Sequence, residues 1–277
     1  MGLYLLMSDS GGVRDMFPNQ DPPAGWPKPH RSVTRVLSAV GFTLLTLITA
    51  AVAVSAVVTG DLAQALTFAV GTVLFAHLVG LVVSLMRQAA PATHEPSVGF
   101  NDQGERGLAF PYSRWAYYWL SSVLVAVLLV DAGLAVQFGA AGAWVMVVPL
   151  AAIALFLAWF LIAMLRLAPG RVVLTPSGIY HRSLVFEHFV PWDAVVDVAA
   201  QEGHIPRIIV KALPSIGTRE RKHMGRLSAG IEGLPFLVVR TYWLGANALP
   251  ANLALKHYLL HSDERTRLKE IGGRAAR

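Results

Sequence analysis

The chain has 277 residues, of which 55% are hydrophobic and only 14% are charged. Because soluble domains carry about 25% charged residues, much of this chain is expected to face something other than water. The absence of cysteine excludes disulfides, thiolate metal sites and a cysteine nucleophile. The formal net charge of +6 is interpreted as the cytoplasmic bias of Lys and Arg in membrane proteins rather than as a sign of nucleic acid binding.

The first 32 residues are polar and rich in Pro, Gly and Asp. This composition predicts a disordered cytoplasmic tail over residues 1–32. The opening MGLYLLM is too short for the apolar region of a signal peptide and lacks a basic start. We therefore expect no cleaved leader here.

Two long stretches contain neither Lys nor Arg, one between Arg35 and Arg87 and one between Arg114 and Arg166. Each is about twice the length of a membrane helix and holds a turn near its middle. The pattern predicts two transmembrane hairpins, at residues 33–88 and 114–168, and therefore a bundle of four helices. We place the helices at residues 33–58, 62–86, 115–138 and 143–167 and the connecting turns at residues 59–61 and 139–142.

All 23 Lys and Arg residues lie outside the two basic-free stretches. By the positive-inside rule we expect both termini and the polar loop at residues 89–113 to be cytoplasmic. The Ala-, Val-, Leu-, Gly- and Arg-heavy composition resembles that of a GC-rich bacterium, so the plasma membrane of a bacterium is the expected location. The Pro and Gly content of that loop argues against a long regular element in it. An aromatic collar is predicted at the inner membrane interface, formed by Trp115, Tyr117, Tyr118 and Trp119.

Beyond residue 168, short alternating runs replace the long apolar ones and predict a small α+β domain at residues 169–272. The predicted strands are residues 171–175, 179–182, 185–190, 207–212 and 236–243, and the predicted helices are residues 250–260 and 263–271. On the first of these helices, Leu255, Tyr258 and Leu259 share one face that is able to lie on the sheet.

The run RVVLTPSGIYHRSLVFEHFVPWDAVVDV at residues 171–198 has a strand ending in L-T-P, a G-I turn and a P-W-D bend. It resembles the opening of bacterial PH-like domains. The run NLALKHYLLHSDERTRL at residues 252–268 is similar to their closing helix in actinobacterial membrane proteins, with Ser262 in place of the usual Pro. The resemblance covers residues 170–270 and implies a curved antiparallel sheet capped by a helix beneath a membrane. It transfers no catalytic residues. From its place after a strand-ending Pro, Trp192 is expected to be a buried anchor.

Two ionisable residues fall inside the predicted spans. His77 lies about 15 Å into the bilayer, as a proton-relay or cofactor site or as a neutral histidine bonded to a neighbouring helix. Asp131 either meets an ion or partner inside the third helix, if that helix reaches residue 138, or ends a shorter helix in the headgroup layer. His257 and His261 have the i, i+4 spacing of a metal pair but no third ligand in the pattern, and we expect them to be packed or solvated.

A basic segment follows in the predicted domain, with a single acid, Glu220, among its charges. On a domain held at the inner leaflet it would attract anionic phospholipid; the alternative is a mobile, solvated loop. The segment comprises Arg207, Lys211, Arg219, Arg221, Lys222 and Arg226.

No nucleophile elbow, P-loop or dinucleotide motif occurs in the chain. We therefore expect a non-enzymatic membrane scaffold or interaction protein without cofactor, metal or nucleic acid, whose PH-like domain contacts a protein partner or anionic lipid. The alternative is a small transporter, or an accessory subunit of a transport or respiratory complex, that uses His77 or Asp131.

Overall fold

The protein is described by a computed structural model over residues 33–87, 97–184, 186–201, 207–223 and 236–270. It contains four long helices: α1 (Val33–Thr59), α2 (Leu62–Arg87), α3 (Arg114–Ala140) and α4 (Trp144–Leu167). All four are long and apolar enough to cross a membrane. The four predicted helices and both turns are confirmed to within two residues of their predicted bounds. The predicted tail at residues 1–32 lies outside the described residues.

Consecutive helices pack against each other, α1 on α2, α2 on α3 and α3 on α4. The hydroxyls of Thr72 and Thr49 share a hydrogen bond of 3.0 Å between α2 and α1. At the next interface the Trp119 ring lies against Gly80, where a Cβ atom would collide with it. Small and hydroxyl-bearing residues at such contacts are typical of helix packing in membranes.

The described residues also form nine strands, numbered in chain order: β1 (Ser97–Phe100), β2 (Arg106–Pro111), β3 (Arg171–Leu174), β4 (Gly178–Arg182), β5 (Phe186–Pro191), β6 (Val195–Gln201), β7 (Arg207–Ala212), β8 (Arg219–Lys222) and β9 (Phe236–Arg240). They form two antiparallel sheets, one of six strands in the order β1-β2-β3-β4-β5-β8 and one of three in the order β6-β7-β9. The chain passes from the first sheet to the second through a single 3-10 turn, Trp192–Ala194.

The segment between the two helical hairpins contributes β1 and β2 to the larger sheet, where the sequence indicates only a polar loop. β2 pairs with β3, so that Leu108 lies opposite Leu174 and Pro111 opposite Arg171. A side chain at Gly107 would collide with the backbone carbonyl of Leu174, so this close approach requires glycine. The sequence around β2 cannot predict this pairing, because the partner strand β3 comes only after the whole second helical hairpin.

Four further elements differ from the predicted ones. Strands β6 and β8 were not predicted, since β8 is a short charged run with little β-forming character. The strand predicted at residues 236–243 ends at Arg240, and Thr241–Leu244 form a helical turn, α5. That turn brings Trp243 onto the Tyr112 ring, with the ring centroids 6.1 Å apart. The last predicted helix begins as a 3-10 helix, Ser262–Arg267.

The core of the domain lies between the two sheets and helix α6 (Ala248–Leu260), which packs on β6. Trp192 is 4% exposed and its indole N–H donates to the Thr175 carbonyl at 2.8 Å. Leu255 and Tyr258 are buried and Leu259 packs against the same cluster. The predicted anchor and the predicted face of the closing helix are both confirmed.

Candidate functional site

Helices and sheets are joined by short connections. β2 ends at Pro111 and α3 begins at Arg114, while α4 ends at Leu167 and β3 begins at Arg171. The backbone N–H of Gly170 donates to the Tyr117 hydroxyl at 3.1 Å. Tyr117 therefore faces the domain core rather than completing the predicted aromatic collar. Trp115 and Tyr118 of that collar are exposed.

Phe186 defines which end of the larger sheet lies beside the helices. This side chain, at the start of β5, packs against Ala163 of α4. β5 then runs to Pro191, which is about 17 Å away at 3.3–3.4 Å per residue. We name the two ends of the sheet the helix-proximal end and the distal end.

A row of arginines crosses the helix-proximal end of the sheet. Arg171 lies opposite Arg182, Arg182 opposite Glu187, and Glu187 opposite Arg221 on four neighbouring strands. Directly paired residues share a face, so these four side chains line one face across about 14 Å. We name Arg171, Arg182 and Arg221 the basic row.

Arg182 ties the basic row to the helices, since its guanidinium donates to the backbone carbonyl of Arg166 in the last turn of α4 at 2.8 Å. Its Nε atom lies 3.5 Å from Glu187 Oε1, an ion-pair contact rather than a hydrogen bond. The Nε atoms of Arg171 and Arg182 are buried without a hydrogen-bond partner among the described residues. Two guanidinium donors thus remain unused at this end.

The six basic residues predicted as one segment do not form one surface. Arg207 and Lys211 lie on β7 of the smaller sheet, whereas Arg219, Arg221 and Lys222 lie on β8 of the larger one. The strand at 207–212 is the predicted one, and β8 is also a strand, so the mobile-loop alternative is wrong for Arg219, Arg221 and Lys222. Arg226 lies outside the described residues.

Three of these five are held in ion pairs: Lys211 with Asp197 at 3.1 Å, Lys222 with Glu220 at 3.1 Å, and Arg219 with Asp102. The Arg219 pair is bidentate, at 2.8 and 2.9 Å, and the guanidinium also lies 4.1 Å from the centroid of the Phe189 ring. This contact links the β1–β2 turn to β8.

A cleft of about 460 Å³ lies beside that ion pair. Acidic, basic and aromatic groups alternate around it, so its electrostatics favour neither an anion nor a cation. Its lining residues are Asp102, Tyr180, Glu187, His188, Phe189, Arg219, Glu220 and Arg221.

Two buried histidines lie opposite each other on β4 and β5, and the sequence analysis did not single them out. His181 and His188 are each 1% exposed. His181 Nε2 shares a hydrogen bond of 2.6 Å with the Tyr112 hydroxyl, and its Nδ1 has no partner among the described residues. Burial lowers the pKa of His181 to about 3, with repulsion from His188 as a smaller cause, and burial also lowers the pKa of His188. Both are therefore neutral near pH 7. The signal available in the sequence is their shared position across the hairpin that turns near Ser183.

His77 is half-buried in α2, and its Nδ1 donates to the Val73 carbonyl at 2.7 Å. The acceptor belongs to its own helix, whereas the neutral-histidine alternative expects a partner on a neighbouring helix. The ring also packs edge-on against Trp119, with centroids 5.5 Å apart. These contacts account for one ring nitrogen and fix the orientation of the ring.

Asp131 lies well inside α3, because that helix continues to Ala140, about 13 Å further along its axis. The interpretation that Asp131 ends the helix is therefore wrong. The residue is 7% exposed, and its Oδ2 atom has no hydrogen-bond partner in the described part of the chain. Within the described residues, no hydrogen bond or ion pair joins His77 to Asp131.

His257 and His261 stack with ring centroids 4.5 Å apart. His257 Nε2 lies 2.7 Å from Glu264 Oε2, and His261 Nδ1 donates to the His257 carbonyl at 3.0 Å. Within the described ranges no group of three or more His or acidic side chains is placed to hold a metal ion. The pair is accordingly packed, with one carboxylate neighbour.

No protein-family model matches the chain, and no curated protein or solved structure matches it. What the fold itself defines is a class: four apolar helices of membrane-spanning length joined to a domain of antiparallel sheets and short helices.

Proposed function

We propose that the protein is a non-enzymatic scaffold of the bacterial plasma membrane, whose cytoplasmic PH-like domain presents its distal end to a protein partner. The observation that carries this proposal is the exposed apolar loop at the distal end.

The membrane placement is supported by the exposed side chains of the helices. Apolar residues on all four are exposed along their length, for example Leu47, Leu66, Leu129 and Leu155. Trp115 begins α3 beside the domain and Trp144 begins α4 at the opposite end of the helices, and each is 67% exposed. Exposed tryptophans at both ends of apolar helices are typical of the two membrane interfaces. The positive-inside rule then places the domain in the cytoplasm.

The PH-like interpretation is supported by the arrangement of the segments that carry the resemblance. The L-T-P, G-I and P-W-D runs fall at the ends of β3, β4 and β5, and the P-W-D bend is where the chain enters the second sheet. The run similar to a closing helix forms most of α6, which lies on β6. The family implies a curved antiparallel sheet capped by a helix, and the two antiparallel sheets with α6 packed on β6 support that interpretation.

The distal loop joins β7 to β8 and is seated against Pro191, since a Cβ atom at Gly217 would lie 3.2 Å from the Pro191 ring. Leu213 is 61% exposed and Ile216 is fully exposed. Pro191 ends β5 about 17 Å along the strand from the helix-proximal end, so these two side chains lie at the end of the sheet away from the helices. Apolar anchors of this kind, ringed by polar residues, are typical of protein contacts.

The test uses site-specific photocrosslinking in native membranes. A photoreactive residue in place of Ile216 is expected to give one discrete crosslinked species, which is lost when Leu213→Ser is added. The control carries the photoreactive residue in place of Arg114, an exposed residue at the start of α3 and therefore at the opposite end of the domain. The same crosslinks at both positions, or none at residue 216, would refute the proposal.

Orientation is tested separately, because the chain contains no cysteine. Ile216→Cys is expected to react with an impermeant thiol reagent only after the cells are permeabilised. Labelling in intact cells would place the domain outside and overturn the orientation.

A second candidate function, in transport, is favoured by the buried, unpartnered Oδ2 of Asp131. Intramembrane carboxylates of this kind mark ion or proton pathways in other proteins. The discriminating measurement is cation or proton flux in vesicles reconstituted with the purified chain. A flux that Asp131→Asn abolishes would replace the scaffold proposal, because asparagine keeps the size of the side chain and removes its charge.

A further inference from the structure

The basic row places like charges next to each other. Arg171 and Arg182 are direct cross-strand partners, an arrangement that is destabilising when nothing neutralises the charges. Within the row only Glu187 carries negative charge, and it lies between Arg182 and Arg221. Three guanidinium groups therefore face one carboxylate on one face of the sheet, which leaves a net positive surface.

The row lies at the height where α4 ends. Arg182 reaches the carbonyl of Arg166, and Phe186 packs on Ala163 one turn earlier. On the same last turns of α4, Ile162 is 53% and Leu165 is 54% exposed. Apolar surface for acyl chains thus continues up to the level of the basic row, where headgroups would begin.

The geometry of the row fits phosphate oxygens. Guanidinium groups bind phosphates through pairs of N–H donors, which a single ammonium cannot provide. Arg171 and Arg182 each have an Nε donor without a hydrogen-bond partner among the described residues. Both Nε atoms are buried, so an acceptor-rich anion would meet the partly exposed remainder of each guanidinium and offset the repulsion between the two charges.

We propose that the basic row binds the phosphodiester headgroup of an anionic phospholipid of the inner leaflet. This inference rests on the membrane placement given under the proposed function but uses the opposite end of the domain. The lipid pins the helix-proximal end against the bilayer, and the distal loop then projects away from it. The site differs from the predicted basic segment and shares only Arg221 with it.

Native mass spectrometry of the full chain in neutral detergent tests this proposal, by titration with phosphatidylglycerol and with phosphatidylcholine. The test variant is Arg171→Gln with Arg221→Gln, and Arg182 is kept because it binds the end of α4. The matched control is Arg207→Gln with Lys211→Gln, which removes the same charge from β7 of the smaller sheet.

The wild-type chain is expected to bind phosphatidylglycerol in preference to phosphatidylcholine and to release it in high salt. At about 1 kcal/mol per basic residue, the test variant should bind it about 30-fold more weakly, while the control stays within about 3-fold of the wild type. Hydrogen exchange of β3 and β4 is measured in parallel to verify that the test variant is folded.

Equal binding of the two lipids, or an equal loss in the control, would overturn the proposal. Inorganic phosphate provides the second arm: full displacement of the lipid by millimolar phosphate would indicate a soluble anion site instead. A negative result in this lipid-binding experiment does not change the results expected for the crosslink at residue 216 or the labelling of Ile216→Cys. The lipid proposal and the scaffold proposal can therefore be refuted separately.

Discussion

Acidification should destabilise the larger sheet through His181. Burial lowers the pKa of this histidine to about 3 in the folded protein, whereas an unfolded histidine titrates near pH 6.5. Below pH 6.5 the unfolded state therefore binds a proton that the folded state excludes, and stability is lost progressively as the pH falls towards 3. Between pH 7.5 and pH 5 the loss is about 2 kcal/mol. The lowered pKa of His188 adds a loss of the same sign.

Hydrogen exchange of the full chain in detergent measures this loss locally. After correction for intrinsic exchange rates, the free energy of opening of β4 and β5 is expected to fall by about 2 kcal/mol from pH 7.5 to pH 5. His181→Gln should remove most of that difference, whatever it does to stability at pH 7.5. His261→Gln, at an exposed position on the end of α6, should leave the difference unchanged. An undiminished pH difference in the His181 variant would refute the reasoning.

Two further predictions concern the packing of the domain. Trp192→Ala should cost the domain about 3–5 kcal/mol, because it empties a core position and removes the indole N–H that donates to the Thr175 carbonyl. Amide exchange in β3 to β6 measures this, with Trp192→Phe as the milder control, and unchanged exchange would contradict the core role. Gly107→Ala should separate β2 from β3, because its Cβ meets backbone, whereas Gly41→Ala has open space and should be neutral. Amide exchange measures this: protection of β2 should be lost in Gly107→Ala and kept in Gly41→Ala. Loss in both variants, or in neither, would contradict the prediction.

The helices were predictable because their signal is local. A membrane-spanning helix can be recognised from its own apolar, basic-free residues, without knowledge of what it packs against. β3 to β5 were predictable for a similar reason, since turn residues at Pro176 and Gly178 punctuate alternating runs. Trp192 and the face of α6 followed from spacing within one element.

The parts that sequence could not predict depend on distant partners. β2 becomes a strand by pairing with β3, and β8 by pairing with β5, across long separations in the chain. The basic row was missed because its arginines come from three strands and only the register aligns them. The predicted basic segment was contiguous in sequence, and the structure divides it between two sheets.

The register between β2 and β3 makes the second helical hairpin an insertion. Strands β1 to β5 form an uninterrupted meander in space, and Pro111 lies opposite Arg171 where the chain leaves the sheet and returns to it. A fragment that begins at residue 169 would therefore lack two of the six strands and expose the edge of β3. During synthesis, β2 must wait for α3 and α4 to be made before its partner strand exists. The larger sheet can therefore be completed only after the second helical hairpin has been synthesised.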